Sequence, residues 1–358
     1  MDTLILAING GSSSLKYGVF TVGEDRVEAV GSGTVEAGRD PTASFDEIVA
    51  KLGQQPDAIG HRIVHGGPTL FRPTLIDKDT TAALEVACAF APLHGPAALA
   101  LIAAAQRRFP DTPQIACIDT GFHEHLPAIA AVLPVPKALR ASGVRRYGFH
   151  GLSCQSIVRQ LGPDLPERLV IAHLGSGASV TAVRRGMSID TSMGLTPSGG
   201  VVMATRSGDL DPGLLLFLLR EHEMTAPKLE DLLDRGSGLL GISERSGDLR
   251  TLRELAPSSP HARLAVDIFC RSVAKQIAAM IASLGGIDML VFSGGIGEHD
   301  VATRNAICAD LAWAGVAQSL QGSDAGNVRI FSPHEEEQIA RDASALLRAV
   351  GVGQEVPA

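Results

Sequence analysis

Apolar positions along this chain come in short blocks separated by glycine and small polar residues. Leu4–Ile8 is an unbroken apolar run and Tyr17–Phe20 is another, with Asn9, Gly10, Gly11, Ser12, Ser13 and Ser14 between them. Two such runs around a flexible polar stretch predict a pair of strands joined by a turn. The design recurs far along the chain: "LILAINGGSSSLKYGVF" begins at Leu4 and "LVIAHLGSGASVTAV" at Leu169. Aligned from those leucines, Ala7 meets Ala172, Gly10 meets Gly175 and Ser14 meets Ser179. Recurrence at domain length predicts two similar halves, each opening with a β-hairpin.

Helical periodicity fills much of the remainder. Pro96 as first residue predicts a helix at Ala97–Arg108, and Asp211 with Pro212 predicts one at Gly213–Glu223. Asp209 reads as a further cap of the latter. Leu264–Leu284 has apolar residues at helical spacing and stops at Gly285–Gly286. Near the C-terminus, Ser332, Pro333 and Glu335 have the spacing of a capping box for a terminal helix. Strand-like runs at Leu169–Ala172, Val180–Val183 and Met289–Phe292 lie among these. Hairpins supply antiparallel pairs, so the expected class is α/β with mixed sheets flanked by helices.

Composition narrows the function. A length of 358 residues suits two domains, and 45% hydrophobic with 20% charged residues is a globular balance. The formal net charge of −8 excludes nucleic acid and anionic membrane as expected partners, because both reward a basic surface. No apolar stretch approaches the ~20 residues that span a bilayer, and the start lacks a basic leader. The five cysteines are Cys88, Cys117, Cys154, Cys270 and Cys308. They form no C-x-x-C pair and read as reduced thiols of a cytoplasmic protein.

With so acidic a chain, any anion must be held by a local cluster of donors. The first glycine loop is not a Walker A motif, since Lys16 leads into a strand. It reads as a phosphate-binding hairpin, with backbone N–H groups, serine hydroxyls and the Lys16 charge, or else as a plain flexible turn. "HLGSGAS" at His173–Ser179 and "FSGGIGEHD" at Phe292–Asp300 repeat the glycine turn after an apolar strand. Three such turns predict one nucleotide site in a cleft. Charged residues in apolar or glycine-rich surroundings form a second set: Arg62 and His65, Asp119, His150, Arg206 and Asp209. Singly each also fits a buried ion pair or a cap. Together they meet the need of phosphoryl transfer to a small anion: arginines that grip oxygens, a histidine donor, and Mg²⁺ on an oxygen ligand. Asp119 and Glu335 are candidate metal ligands or orienters, with the capping box an equal account of Glu335. Asp248 and Arg250 lie in "GISERSGDLRTL", a loop that either touches nucleotide or is ordinary.

Ten short motifs in order then make a resemblance. "INGGSSSLKY", "GHRIVHGG", "APLHGP", "IDTGFH", "RRYGFHG", "IAHLGSGASV", "SIDTSMGLTP", "TRSGDLDP", "SGGIGE" and "EEEQIARD" resemble the acetate kinase family over nearly the whole chain. The resemblance implies two duplicated ribonuclease-H-like domains of the sugar kinase, actin and heat-shock chaperone superfamily, with the active site in an interdomain cleft. The implied domains are 1–123 with a returning helix in 337–358, and a nucleotide-binding 124–336. It implies a cytoplasmic homodimer running ATP + acetate ⇌ ADP + acetyl phosphate by direct in-line transfer with Mg²⁺, or alternatively Mn²⁺. By position, Asn9 and Glu335 bind the metal, and Lys16 sits by the phosphates. Arg62 holds the carboxylate, His150 and Arg206 stabilise the transition state, His94 assists, and Asp119 is the catalytic aspartate. His173, Leu174, Gly175, Ser176, Gly177, Asp248, Leu249, Arg250, Gly295, Ile296, Gly297, Glu298 and His299 hold the nucleotide. Val64, Leu93, Phe149 and Pro197 face the methyl group of the acid. Propionate is the alternative acid, and an ATP-binding sensor that transfers nothing is the alternative class.

Overall fold

A computed structural model describes residues 2–11, 14–24, 26–36, 40–317 and 326–351. Ser12 and Ser13 of the opening loop lie outside the described residues. Backbone packing divides the chain into two units: Met1–Glu124 with Gly151–Ser156 and His334–Ala358, and His125–His150 with Ile157–Pro333.

The first unit is built on β1 (Thr3–Gly10), β2 (Ser14–Val22), β3 (Val27–Glu36), β4 (Ala58–Ile63), β5 (Thr74–Leu75) and β6 (Gln114–Ile118). Their order is β3-β2-β1-β4-β6-β5. β1, β2 and β3 form an antiparallel meander, β4 and β6 run parallel to β1, and β5 is antiparallel. Unbroken apolarity in β1 follows from burial on both faces. Leu6, Ile8 and Ile59 meet Phe45 and Ile48 of the helix Pro41–Val49 and Leu101 and Ala105 of the helix Gly95–Arg108. Ile5, Ala7 and Phe20 meet Ile339, Ala340, Ala343 and Leu347 of the helix Glu335–Val350. Gly60 permits that approach, since a Cβ there would lie 2.6 Å from Ile339 Cγ2.

The second unit contains β7 (Arg168–Leu174), β8 (Ala178–Arg184), β9 (Met187–Thr191), β10 (Met289–Ser293) and β11 (Val328–Ile330), ordered β11-β10-β7-β8-β9. β7, β8 and β9 are again an antiparallel meander, with β10 and β11 parallel on the other side of β7. This is the strand order of the first unit without its edge strand, so the internal repeat of the sequence is a repeat of topology. The mixed-sheet α/β class is as expected.

Helix bounds differ from expectation at their ends. Ser259 caps the long helix and Pro260 opens it, so it runs Pro260–Leu284, with Gly285 left-handed at φ 71°. Asp211 does cap Pro212–Glu221, accepting from Gly213 N–H. Asp209 does not. It accepts from Gly200 N–H at 2.7 Å and from Gln276 Nε2 at 3.1 Å, closing the neck of a loop. The capping box at Ser332 is also absent. His334 adopts a left-handed conformation (φ 40°, ψ 47°), so the helix starts at Glu335, and the Ser332 hydroxyl donates to Glu298 instead. The five cysteines are free. Among the described residues, no helix is long and apolar enough to cross a membrane.

Candidate active site

In the first unit, three adjacent parallel strands end with functional side chains. Asn9 is the penultimate residue of β1, Arg62 lies near the end of β4, and Asp119 follows β6. Carboxyl ends of parallel strands are where open α/β sheets bind ligands, since loops diverge there. Arg62 Nη2 donates to Asp119 Oδ2 at 2.7 Å and Nη1 to Asn9 Oδ1 at 3.2 Å. Asn9 Nδ2 in turn donates to Glu335 and Glu336, each at 2.8 Å. The fully buried Asp119 also receives Leu152 N–H from the start of the helix Gly151–Leu161, where positive backbone ends favour an anion. Burial pushes the Arg62 guanidinium down, but Asp119, Glu335 and Glu336 outweigh it and hold the group above its ordinary value. Arg62 Nε has no partner among the described residues.

Arg62 also reaches a cavity of about 170 Å³ with Val64, Leu93, His94, Ala97 and Leu101 among its lining residues. His94 is in place as the residue preceding the helix Gly95–Arg108. The neutral His61 lines the same cavity: burial lowers its pKa to about 4 against the opposing effect of a hydrogen bond that it donates to Gln114. Gln114 Nε2 donates to Thr112 O, so its oxygen faces His61 and the ring proton there sits on Nε2. Lys16 pairs with Asn9 across β1 and β2 and is exposed.

In the second unit, the β7–β8 turn carries Gly175, Ser176 and Gly177. A Cβ on Gly177 would lie 3.4 Å from both His150 Nε2 and Arg206 Nη1, so these groups flank the turn. His150 stacks on His173, with ring centroids 4.3 Å apart, and its Nδ1 lies 2.9 Å from Ser179 Oγ. Arg146 braces the preceding loop by donating to the carbonyls of Thr191, Ser192 and Met193. Arg206 Nη1 donates to Pro197 O at 3.2 Å, and Asp209 ties the neck of its loop. Phe149 is buried in this unit beside His150 in sequence.

A larger cavity of about 890 Å³ brings together Gly175, Ser176, Asp248, Leu249, Arg250, Gly295, Ile296 and His299. Asp248 is not in a plain loop: it caps the helix Leu249–Leu255. Leu174 and Gly297 are buried outside the lining, and Glu298 is engaged by Ser332. Sequence reading did not single out Ala204, Leu239, Gly247, Arg253 or Asp300 in this wall, although Gly247 and Asp300 lie inside two of the quoted segments. Arg253 and Asp300 form an ion pair at 2.7 Å. Burial pushes the Asp300 carboxyl up, yet Arg253 and Thr303 more than offset this and leave it below its ordinary value. It missed Glu336 as well, although the run Glu335–Glu337 was the available signal. Ser179, the residue aligned with Ser14, was signalled by the repeat.

Duplicated mixed-sheet units, with arginine, histidine and carboxylate groups beside glycine turns, define a phosphotransferase of the α/β class. The model of the Acetokinase family matches residues 42–333, and the chain belongs to that family. An acetate kinase of Rhodopseudomonas palustris is 39% identical over 372 residues, covering 93% of each chain. The crystal structure of Porphyromonas gingivalis acetate kinase superposes with a TM-score of 0.83 at 30% identity, covering 96% of this chain and all of that one. A propionate kinase from Francisella tularensis gives 0.83 at 32% identity, covering 95% and 98%.

Proposed function

We propose that this chain is a carboxylate kinase that transfers the terminal phosphoryl group of ATP to acetate, reversibly and without a phospho-enzyme. The observation that carries the reading is the largely buried Arg62, paired with the carboxylate of Asp119, at the wall of a cavity of about 170 Å³ whose other walls are mostly apolar, a setting suited to a short carboxylic acid.

In this reading Arg62 grips the carboxylate of the acid, and Val64 and Leu93, which line the cavity with it, face its methyl group. Asp119 orients Arg62 through the 2.7 Å ion pair. His150 and Arg206 supply donors to the phosphoryl oxygens as negative charge moves in line from ADP to the acid, and His94 assists. The glycine turn of β7–β8, with Asp248–Arg250 and Gly295–His299, holds the nucleotide, and Lys16 adds charge by its phosphates. The carboxylates of Glu335 and Glu336 gather at Asn9 and are hard oxygen donors, the chemistry Mg²⁺ prefers, so they, with the Asn9 oxygen turned from Arg62, would hold the metal. When bound, the ion neutralises phosphate charge. The protein acts as a homodimer in the cytoplasm.

A cavity of this size also favours a second acid, propionate, because one methylene changes discrimination by only ~1–3 kcal/mol. Hydroxylamine trapping tests both. Protein with Mg·ATP is given acetate, propionate and butyrate separately, and the hydroxamate is read. Strongest product with acetate is expected; a stronger product with propionate selects the second acid. ATP binding without product from any acid would overturn the kinase reading.

A further inference from the structure

His150 occupies the left-handed region (φ 56°, ψ 32°), which costs a non-glycine residue energy unless its surroundings enforce it. Two groups enforce the placement of its ring. His173 stacks on it, with an interplanar angle of 26°, and Ser179 hydrogen-bonds its Nδ1. These two are direct partners across β7 and β8, so a single row of the sheet supplies both. The turn Gly175–Gly177 closes the same hairpin. Phosphate turn and histidine are therefore set by one local structure.

A neutral imidazole has one donor and one acceptor nitrogen, and the partner of one fixes the role of the other. A serine hydroxyl can serve Nδ1 either way, so the far nitrogen decides. Nε2 faces the Gly177 turn beside Arg206 Nη1. The guanidinium disfavours a second positive charge in the ring. A lone pair on Nε2 would repel phosphoryl oxygens, whereas an N–H would bind them.

We propose that Ser179 is a positioning residue: its hydroxyl donates to Nδ1 and holds His150 as the Nε2–H tautomer, aiming that proton with Arg206 at the transferring phosphoryl group. Ser179 is almost fully buried at 1% exposure, so water does not replace the bond when the hydroxyl is lost. The proposal rests on the role of His150 given above.

The test is a double-mutant cycle with Ser179→Ala, Ser179→Thr, His150→Ala and the pair Ser179→Ala with His150→Ala. Ser179→Ala is expected to lower kcat about tenfold, equal to about 1.4 kcal/mol, with KM for ATP and acid within about twofold. Ser179→Thr, which keeps the hydroxyl and suits a strand, is expected to restore most of the rate. Adding Ser179→Ala to His150→Ala should cost nothing more. An equal further loss in the pair, or full activity of Ser179→Ala, overturns the proposal. If His150→Ala alone keeps full activity, the role of His150 fails instead. Nitrogen-15 spectra of histidine-labelled protein give an independent readout: a protonated Nε2 on His150 that becomes a tautomer mixture in Ser179→Ala, and no change in the mixture would again overturn it.

Discussion

Single side chains divide into those that touch substrate and those that hold them. On the proposed roles, Arg206→Ala and His150→Ala each remove a donor to the phosphoryl oxygens, so kcat should fall by ~10²-fold or more in steady-state assays. Arg62 differs, because it also neutralises the buried Asp119. Arg62→Ala would strand that carboxylate at a cost of ~3–5 kcal/mol, so Arg62→Lys is the cleaner probe. It keeps the charge but loses the fork that reaches Asp119 and Asn9 together. A raised KM for the acid with a folded protein is the expected outcome. His61 controls stability instead. Its folded pKa is about 4, against an ordinary 6.5. Between those values the unfolded chain takes up the proton and the folded chain does not. The stability it contributes is therefore full above pH 6.5 and lost as pH falls towards 4, by up to ~3 kcal/mol. His61→Gln should flatten that acid limb in urea unfolding measured across pH 4–7.

At the level of elements, packing rather than pattern sets the details. Gly60 lets the helix Glu335–Val350 settle on β4, and a methyl there would meet Ile339 at 2.6 Å. Gly60→Ala should thus cost ~1–3 kcal/mol of unfolding free energy by denaturant titration, and Ile339→Ala in the same chain should recover part of it rather than add its full cost. The strands, the repeat and the glycine turns were legible because they are written in apolar runs and alignment. Arg62, Asp119, His150 and Arg206 stood out as charges in apolar or glycine-rich surroundings. What stayed hidden depends on conformations that sequence spacing does not record. Ser332, Pro333 and Glu335 have capping-box spacing, but the left-handed His334 shifts the start and frees Glu335 for Asn9. Asp209 looked like a cap two residues before Asp211, yet it closes the Arg206 loop through Gly200. Arg146 meets the carbonyls of residues far along the chain, and the repeat marked Ser179 without showing its contact with His150.

For the whole molecule, the second unit carries a surface that a lone chain leaves uncovered. The helix Pro212–Glu221 has no buried residue, yet its sequence is PGLLLFLLRE. Leu214, Leu216, Phe217 and Leu219 are all exposed, Leu216 at 56%, and Leu210 adjoins them. Four exposed apolar side chains on ten residues form a patch that water penalises and that a partner would cover. A second copy of this chain is the simplest occupant, since a two-fold interface places the same patch against itself and needs no complementary surface elsewhere. The helix begins shortly after Arg206 in sequence but is held by its own Asp211 cap, so a charge on its surface leaves the cap intact. Phe217→Lys should therefore yield a folded protein of half the native mass in light scattering coupled to gel filtration. An unchanged mass in Phe217→Lys and in Leu216→Lys would move the interface to another surface, and a monomeric native protein would end the dimer reading.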